Sequence, residues 1–323
     1  MNDVYFFLHS GERVKLANAE LRALVKSYYP DAVLQNLEER VSIVDGNIDM
    51  KQIASRATCI RYAGQLLTSS DAISFDPDAY FRKYRKFACK LINLSKKYVS
   101  MEAVSRLGKY VKDKSSWMQV SLDDPDIILL YIVTDNGSMV GFAEYKNGVN
   151  SRVKDLRNRP YFHTLALEAK LSRMMVNLTM AKENDLLLDP FCGTGSILLE
   201  AAAMKIHTIG SDISSRMCYG ALENTQNVKS FILNCDALSL PLQTKDIDVI
   251  ATDLPYGRSA STMQRASKVL LKEFVSFIND EMRAKRCCVM CKKGDEQLFS
   301  NVVEEYDIYE HKSLTRKLMV LCN

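Results

Sequence analysis

From Leu186 onward, short apolar runs alternate with stretches patterned for helix, and that order restricts the second half of the chain to a layered α/β fold. Leu186–Leu188, Ile206–Gly210, Phe231–Leu233, Ile247–Thr252 and Cys287–Cys291 read as buried strands. Ser196–Ala203, Ser214–Gln226 and Met263–Met282 read as the helices between them, and Leu165–Met180 as a helix before the first strand. Two further strands, Asp307–His311 and Leu318–Cys322, close the chain. The expected arrangement is a doubly wound, mostly parallel sheet of Rossmann-like type, with its ligand-facing turns at the carboxyl edge.

The first of those turns is Asp189-Pro190-Phe191-Cys192-Gly193-Thr194-Gly195. Gly193 and Gly195 let the backbone pass close to a ligand before the next helix begins. A dinucleotide fingerprint would place a third glycine where this chain has Leu198. The next strand delivers Asp212-Ile213, 23 residues after Asp189, where a carboxylate can accept from both ribose hydroxyls. The strand after that delivers Asp236-Ala237, and an acid there can accept from an adenine amine; the rival reading of Asp236 is a turn cap. Ribose spacing alone fits nicotinamide and S-adenosylmethionine pockets equally.

What favours S-adenosylmethionine lies downstream, at Asp253-Leu254-Pro255-Tyr256. An aromatic amine such as guanine N2 is a poor nucleophile because its lone pair is delocalised into the ring. The Asp253 carboxylate and the Leu254 carbonyl can hold its two hydrogens and turn the lone pair towards a sulfonium methyl, with Pro255 fixing the carbonyl's direction. Tyr256 would stack on the base, which must be unpaired or flipped out. The reaction needs neither a metal nor a covalent intermediate, so no metal site is expected. The bland alternative is a strand end with a proline turn.

The first half has a different rhythm. Val4–Leu8, Ala17–Tyr28, Ala32–Leu37, Arg40–Val44, Asp49–Ala57 and Cys59–Leu67 read as β-α-β-β-α-β, a ferredoxin-like order. Two helical stretches and then strands at Trp117–Leu122, Ile127–Thr134 and Met139–Tyr145 suggest a small α/β unit. The whole chain carries a net charge of only +4, but Tyr80–Lys114 holds eleven Lys/Arg, including Arg82, Lys83, Arg85 and Lys86, against Glu102 and Asp113. Six interleaved aromatics make this either a phosphate-backbone surface or a solvated helix face with its rings turned inward. The motifs of the second half favour nucleic acid. Arg258 and Ser259 are candidate RNA contacts against plain surface residues.

Other residues carry weaker signals. His163 suits either a ligand contact or a buried, hydrogen-bonded role. Cys287, Cys288 and Cys291 read as buried strand residues, and Cys192 as a small packing residue in the loop. Nine scattered cysteines, no apolar run of membrane-spanning length and no signal-peptide layout predict a cytoplasmic protein.

The combined motifs resemble amino-directed S-adenosylmethionine-dependent methyltransferases, whose reaction motif is usually Asp/Asn-Pro-Pro-aromatic; here Leu254 replaces the first proline. Arg159-Pro160-Tyr161-Phe162-His163 with the helix through Lys170–Leu178, and His311–Lys317 before the last strand, resemble more narrowly the THUMP-domain tRNA guanosine-N2 methyltransferases acting at position 10. The resemblance covers the whole chain. It implies a ferredoxin-like domain at 1–68, a THUMP RNA-binding domain at 69–150, a linker at 151–162 and a methyltransferase domain at 163–323. It further implies tRNA as partner, with no membrane or DNA, and raises the small zinc-binding activator subunit that eukaryotic members use. Rival readings are a THUMP-type enzyme for another tRNA position or ribosomal RNA, a DNA amino-methyltransferase, and a non-catalytic RNA-binding protein with a relict pocket.

Overall fold

In a computed structural model, residues 3–69, 72–146, 159–164, 166–255, 267–280, 284–311 and 314–322 are described. The chain divides into two compact units, residues 1–149 and 150–323. Among the described residues, no helix is long and apolar enough to cross a membrane.

The first unit opens with β1 (Val4–His9), α1 (Val14–Tyr28), β2 (Val33–Glu38), β3 (Val41–Asp45), α2 (Met50–Arg56) and β4 (Ile60–Thr68). Their lateral order is β2-β3-β1-β4, all antiparallel, as the β-α-β-β-α-β reading requires. Strand β1 is buried on both faces. Phe7 joins Leu21, Leu24 and Ile53 of the two helices, while Phe6 and Leu8 face the other way.

The sheet does not end at β4. It continues through β8 (Gly137–Lys146), β7 (Ile127–Thr134), β5 (Lys86–Asn93) and β6 (Gln119–Val120), making eight strands. On the Phe6 face, one apolar cluster runs from β1 to Leu130 and Ile132 of β7. Glycines permit the β4–β8 pairing: a Cβ on Gly141 would lie 2.5 Å from the Phe6 ring, and one on Gly64 would collide with the Phe142 carbonyl.

Two helices do occupy the basic segment's neighbourhood, α3 (Pro77–Phe81) and α4 (Glu102–Lys114), but between them lies β5, a strand the sequence reading lacks. Its burial shows why. Phe87 is fully buried, yet Lys86 and Lys90 stand exposed and interrupt the apolar run. The expected strand at Trp117–Leu122 shrinks to the two residues of β6, with Trp117 partly buried against the α4 core.

The second unit contains α5 (Ala169–Leu178), β9 (Leu186–Asp189), α6 (Ser196–Ala203), β10 (His207–Asp212), α7 (Ser215–Thr225), β11 (Ser230–Asn234), β12 (Val249–Asp253), α8 (Ser267–Asp280), β13 (Arg286–Lys292), β14 (Val302–His311) and β15 (Leu314–Cys322). The order is β11-β10-β9-β12-β13-β15-β14, with β9 to β13 parallel and β15 antiparallel to both neighbours. Chain order reverses between β9 and β12, which creates a crevice beyond their carboxyl ends. The last two strands start earlier than expected, at Val302 and Leu314, so Arg316 and Lys317 lie within β15. Both are buried beside carboxylates: Arg316 against Asp253, and Lys317 against Glu305 and Asp307. A buried ion pair leaves no apolar signature in the sequence.

Candidate active site

Three acids stand at the ends of adjacent strands. Asp189 ends β9, Asp212 ends β10 and Asp253 ends β12. Asp236 follows β11 at the sheet's edge, where its carboxylate accepts from the Leu238 amide at 3.0 Å. That bond makes the turn-capping reading of Asp236 real.

Asp189 is almost wholly buried and holds the first turn together. Its Oδ1 accepts from the Thr252 hydroxyl at 2.7 Å and from the Phe191 amide at 3.3 Å. The Thr252 bond ties the end of β9 to the residue preceding Asp253. Burial pushes the Asp189 carboxyl up to about 7 against these two donors, and nearby Asp212 adds to the rise.

The loop after β9 is pinned to β10. The Cys192 amide donates to the Ser211 carbonyl at 2.8 Å, and Ser211 Oγ donates to the Pro190 carbonyl at 3.1 Å. Gly193 and Gly195 both take left-handed φ, 51° and 82°. Among the described residues, no atom beyond its own chain neighbours lies within 4 Å of where a Gly193 Cβ would be, so a ligand can lie against this backbone. Asp212 accepts from the Gly193 amide at 3.0 Å and the Ser214 amide at 2.8 Å, one on each oxygen. Each oxygen keeps a second lone pair for a hydroxyl. Burial raises Asp212 against those amides. Asn234 Nδ2 donates to the Asp212 and Ile213 carbonyls, which fixes the turn that carries both residues.

The remaining loop residues pack. Phe191 stands edge-on to Phe274 of α8 at 4.9 Å, Thr194 and Ala237 are buried, and burial pushes the Cys192 thiol well up. A thiol so disfavoured as thiolate suits packing and not nucleophilic attack. Cys287, Cys288 and Cys291 lie in β13 and are buried, as expected, with Cys287 and Cys291 in the α8 core. His163 is half-buried, and its carbonyl accepts from the Ala166 amide.

At the reaction loop, the Leu254 amide donates to the Met290 carbonyl at 2.9 Å, so β13 sets the backbone that leads into Pro255. Leu254 itself is buried in the α8 core. Tyr256, Arg258 and Ser259 lie outside the described residues. Sequence reasoning missed two neighbours of this loop: Thr252, and Arg316, whose guanidinium grips the Asp253 carboxylate through both amino nitrogens.

The segment Arg159–Tyr161 is anchored beside the glycine loop, on α6 and α7. Arg159 donates to Ser196 Oγ at 2.7 Å. Asn224 of α7 accepts from the Tyr161 amide at 2.9 Å and donates to the carbonyls of Tyr161 and Thr194.

Arg82, Lys83, Arg85 and Lys86 are elsewhere, exposed at the α3–β5 turn of the first unit. An acidic turn folds against them: Asp126 accepts from the Arg85 and Lys86 amides, and Asp124 pairs with Lys86 at 3.0 Å. Forty residues of separation hid that neutralisation from the sequence. Lys97 and Arg106 line a different feature, a cleft of about 400 Å³ with Tyr98, Ser100, Tyr131 and Thr134. Tyr98 is 92% exposed there.

The strand order and the glycine turn at the switch point define a Rossmann-like S-adenosylmethionine-dependent methyltransferase fold. The family model described as "RMKL-like, methyltransferase domain" matches residues 157–317, and one described as "DNA methylase" matches residues 68–223. A tRNA (guanine(10)-N2)-dimethyltransferase of Methanothermobacter thermautotrophicus is 30% identical over 97% of this chain and 98% of its own length. The human U6 snRNA (guanine-N(2))-methyltransferase THUMPD2 is 26% identical over 51% of this chain and 32% of its own length. The crystal structure of TrmN from Thermus thermophilus superposes with a TM-score of 0.56 at 15% identity, covering 99% of each chain. The chain belongs to the THUMP-type tRNA guanine-N2 methyltransferase family.

Proposed function

We propose that this chain methylates tRNA: it transfers the methyl group of S-adenosylmethionine to the exocyclic amine of a guanosine, at position 10, giving N2-methylguanosine and then N2,N2-dimethylguanosine. The observation that carries the reading is a near-full-length match to a tRNA guanine(10)-N2 enzyme in a chain whose Asp253 stands at the switch point beside the glycine loop. The U6 snRNA relative matches about half the chain, so position 10 of tRNA is favoured over that substrate.

The donor set suits the cofactor. Asp212 would accept from the ribose hydroxyls, Asp236 and Ala237 would meet the adenine, with Asp236 accepting from its amine, and the backbone from Pro190 to Gly195 would line the rest of the pocket. When bound, S-adenosylmethionine supplies a methyl carbon on a positively charged sulfur, and the carbon–sulfur pair withdraws onto sulfur as the guanine nitrogen bonds to that carbon. Asp253 and the Leu254 carbonyl hold the two amine hydrogens, so the nitrogen lone pair faces the methyl. Pro255 restricts the turn and Tyr256 stacks on the base. The nitrogen's surplus proton then leaves to solvent.

The domain boundaries at 68, 150 and 162 belong to this proposal. Residues 69–150, the THUMP region, would grip the acceptor end of tRNA through phosphates, placing the target by distance and not by base sequence. DNA is not the substrate on this reading.

Nucleoside mass spectrometry of unmodified tRNA transcripts, after incubation with the protein and labelled S-adenosylmethionine, tests it. Label in N2-methylguanosine or N2,N2-dimethylguanosine, mapped to position 10 and reduced at least about a hundredfold in Asp253→Ala, is expected. Label in another base overturns the guanine assignment. Turnover by the chain alone would dispense with a small zinc-binding activator.

A further inference from the structure

Arg316 falls within the closing segment His311–Lys317, to which the sequence assigned no role at the site, yet its side chain ends against Asp253. On β15 it lies opposite Lys292 of β13, while Asp253 of β12 lies opposite Met290 of that same strand. Its side chain therefore spans the end of β13. Nη1 donates to Asp253 Oδ2 at 2.9 Å and Nη2 to Oδ1, a fork that fixes the plane of the carboxylate.

The burial is lopsided. The Arg316 side chain is 2% exposed, whereas Asp253 is 20% exposed. Leu318 to Leu321 of the same strand are buried and apolar. Replacing a buried ionic group with an apolar side chain is often neutral or stabilising, so packing alone gives no reason for a guanidinium here. Its planar fork matches a carboxylate in a way a lysine cannot.

We propose that Arg316 is the positioning residue for the methyl transfer. It touches neither substrate nor cofactor. It holds the Asp253 carboxylate in one orientation, using one lone pair on each oxygen and leaving the other pair to accept from the target amine. This rests on the reading of Asp253 as the acceptor of that amine. A carboxylate free to rotate would still attract the amine but would not aim its lone pair, so the loss falls on turnover and not on binding.

The test uses the full chain with tRNA transcript and S-adenosylmethionine, comparing Arg316→Met, Arg316→Lys, Asp253→Ala, Asp253→Asn and the double variant Asp253→Asn/Arg316→Met. Arg316→Met is expected to lower kcat at least about tenfold while the cofactor Kd and the tRNA KM stay within about twofold. Arg316→Lys, which keeps the charge but not the fork, is expected to fall between Arg316→Met and the unaltered protein. If Arg316 acts through Asp253, the double variant is no slower than Asp253→Asn alone. An Arg316→Met protein with unaltered kcat, beside an inactive Asp253→Ala, overturns the proposal and leaves the reading of Asp253 standing. Losses that multiply in the double variant also overturn it, because they place Arg316 in general structural support. Full turnover in Asp253→Ala removes the underlying reading and this role with it.

Discussion

Asp189 is an acid placed where an acid is poorly solvated, and folding feels it. Its carboxyl is held near 7 in the folded chain, above the ordinary value of 3.8, chiefly by burial. Between about pH 4 and 7 the folded state therefore keeps a proton that the unfolded state has lost, and stability falls as pH rises through that window before levelling above it. Asp189→Asn keeps an acceptor for the Thr252 hydroxyl and cannot ionise. Urea unfolding at several pH values should show the variant gaining on the unaltered protein from pH 4 to 7, with no further gain above; a constant difference would place the effect elsewhere. The acids and glycines of this site were legible because a strand end facing a ligand needs those residue types. Arg316 was not, since one arginine in Leu314-Thr315-Arg316-Lys317 reads the same whether it meets water or a buried carboxylate.

The strand–helix–strand rhythm of the second unit was visible because parallel strands buried on both faces are short continuous apolar runs. Strand β5 escaped notice because Lys86 and Lys90 break such a run, and the pairing of β4 with β8 rests on two glycines that no periodicity marks. The seam makes a test by contrast. Gly141→Ala would drive a Cβ to 2.5 Å from the Phe6 ring in a packed core, where overpacking costs about 1–3 kcal/mol. Gly108→Ala in α4 would meet only Cys89 Sγ at 3.9 Å, and alanine favours a helix interior over glycine by about 0.5–1 kcal/mol. The same chemical change should thus lower the unfolding midpoint at residue 141 and raise it at residue 108 in thermal or urea melts. Equal shifts at the two positions would show that the β4–β8 seam is not tightly closed.

At the scale of the whole molecule, the proposal assigns RNA grip to the first unit and chemistry to the second, so the two should separate in kinetics. Phosphate contacts made by cations release counterions, and each lost contact lowers the slope of log affinity against log salt by about 1. Local charge counting ranks Arg82, Lys83, Arg85 and Lys86 highest, but the fold sets Asp124 and Asp126 against that corner. Lys97 and Arg106 line the cleft beside the exposed ring of Tyr98; Glu102 and Asp135 line it too, but neither cation forms an ion pair among the described residues. Alanine at Lys97 or Arg106 should therefore weaken tRNA binding and lower the salt slope by about 1 each, while Lys86→Ala, which also frees an acidic side chain, moves the slope less. In all three variants kcat at saturating tRNA and the cofactor Kd should hold, because no atom of the β9–β12 crevice has changed. Filter binding of transcript at several salt concentrations, paired with steady-state turnover, reads both quantities. A variant that loses kcat without losing affinity would assign those cations to presenting the base, and the separation of grip from chemistry would have to be abandoned.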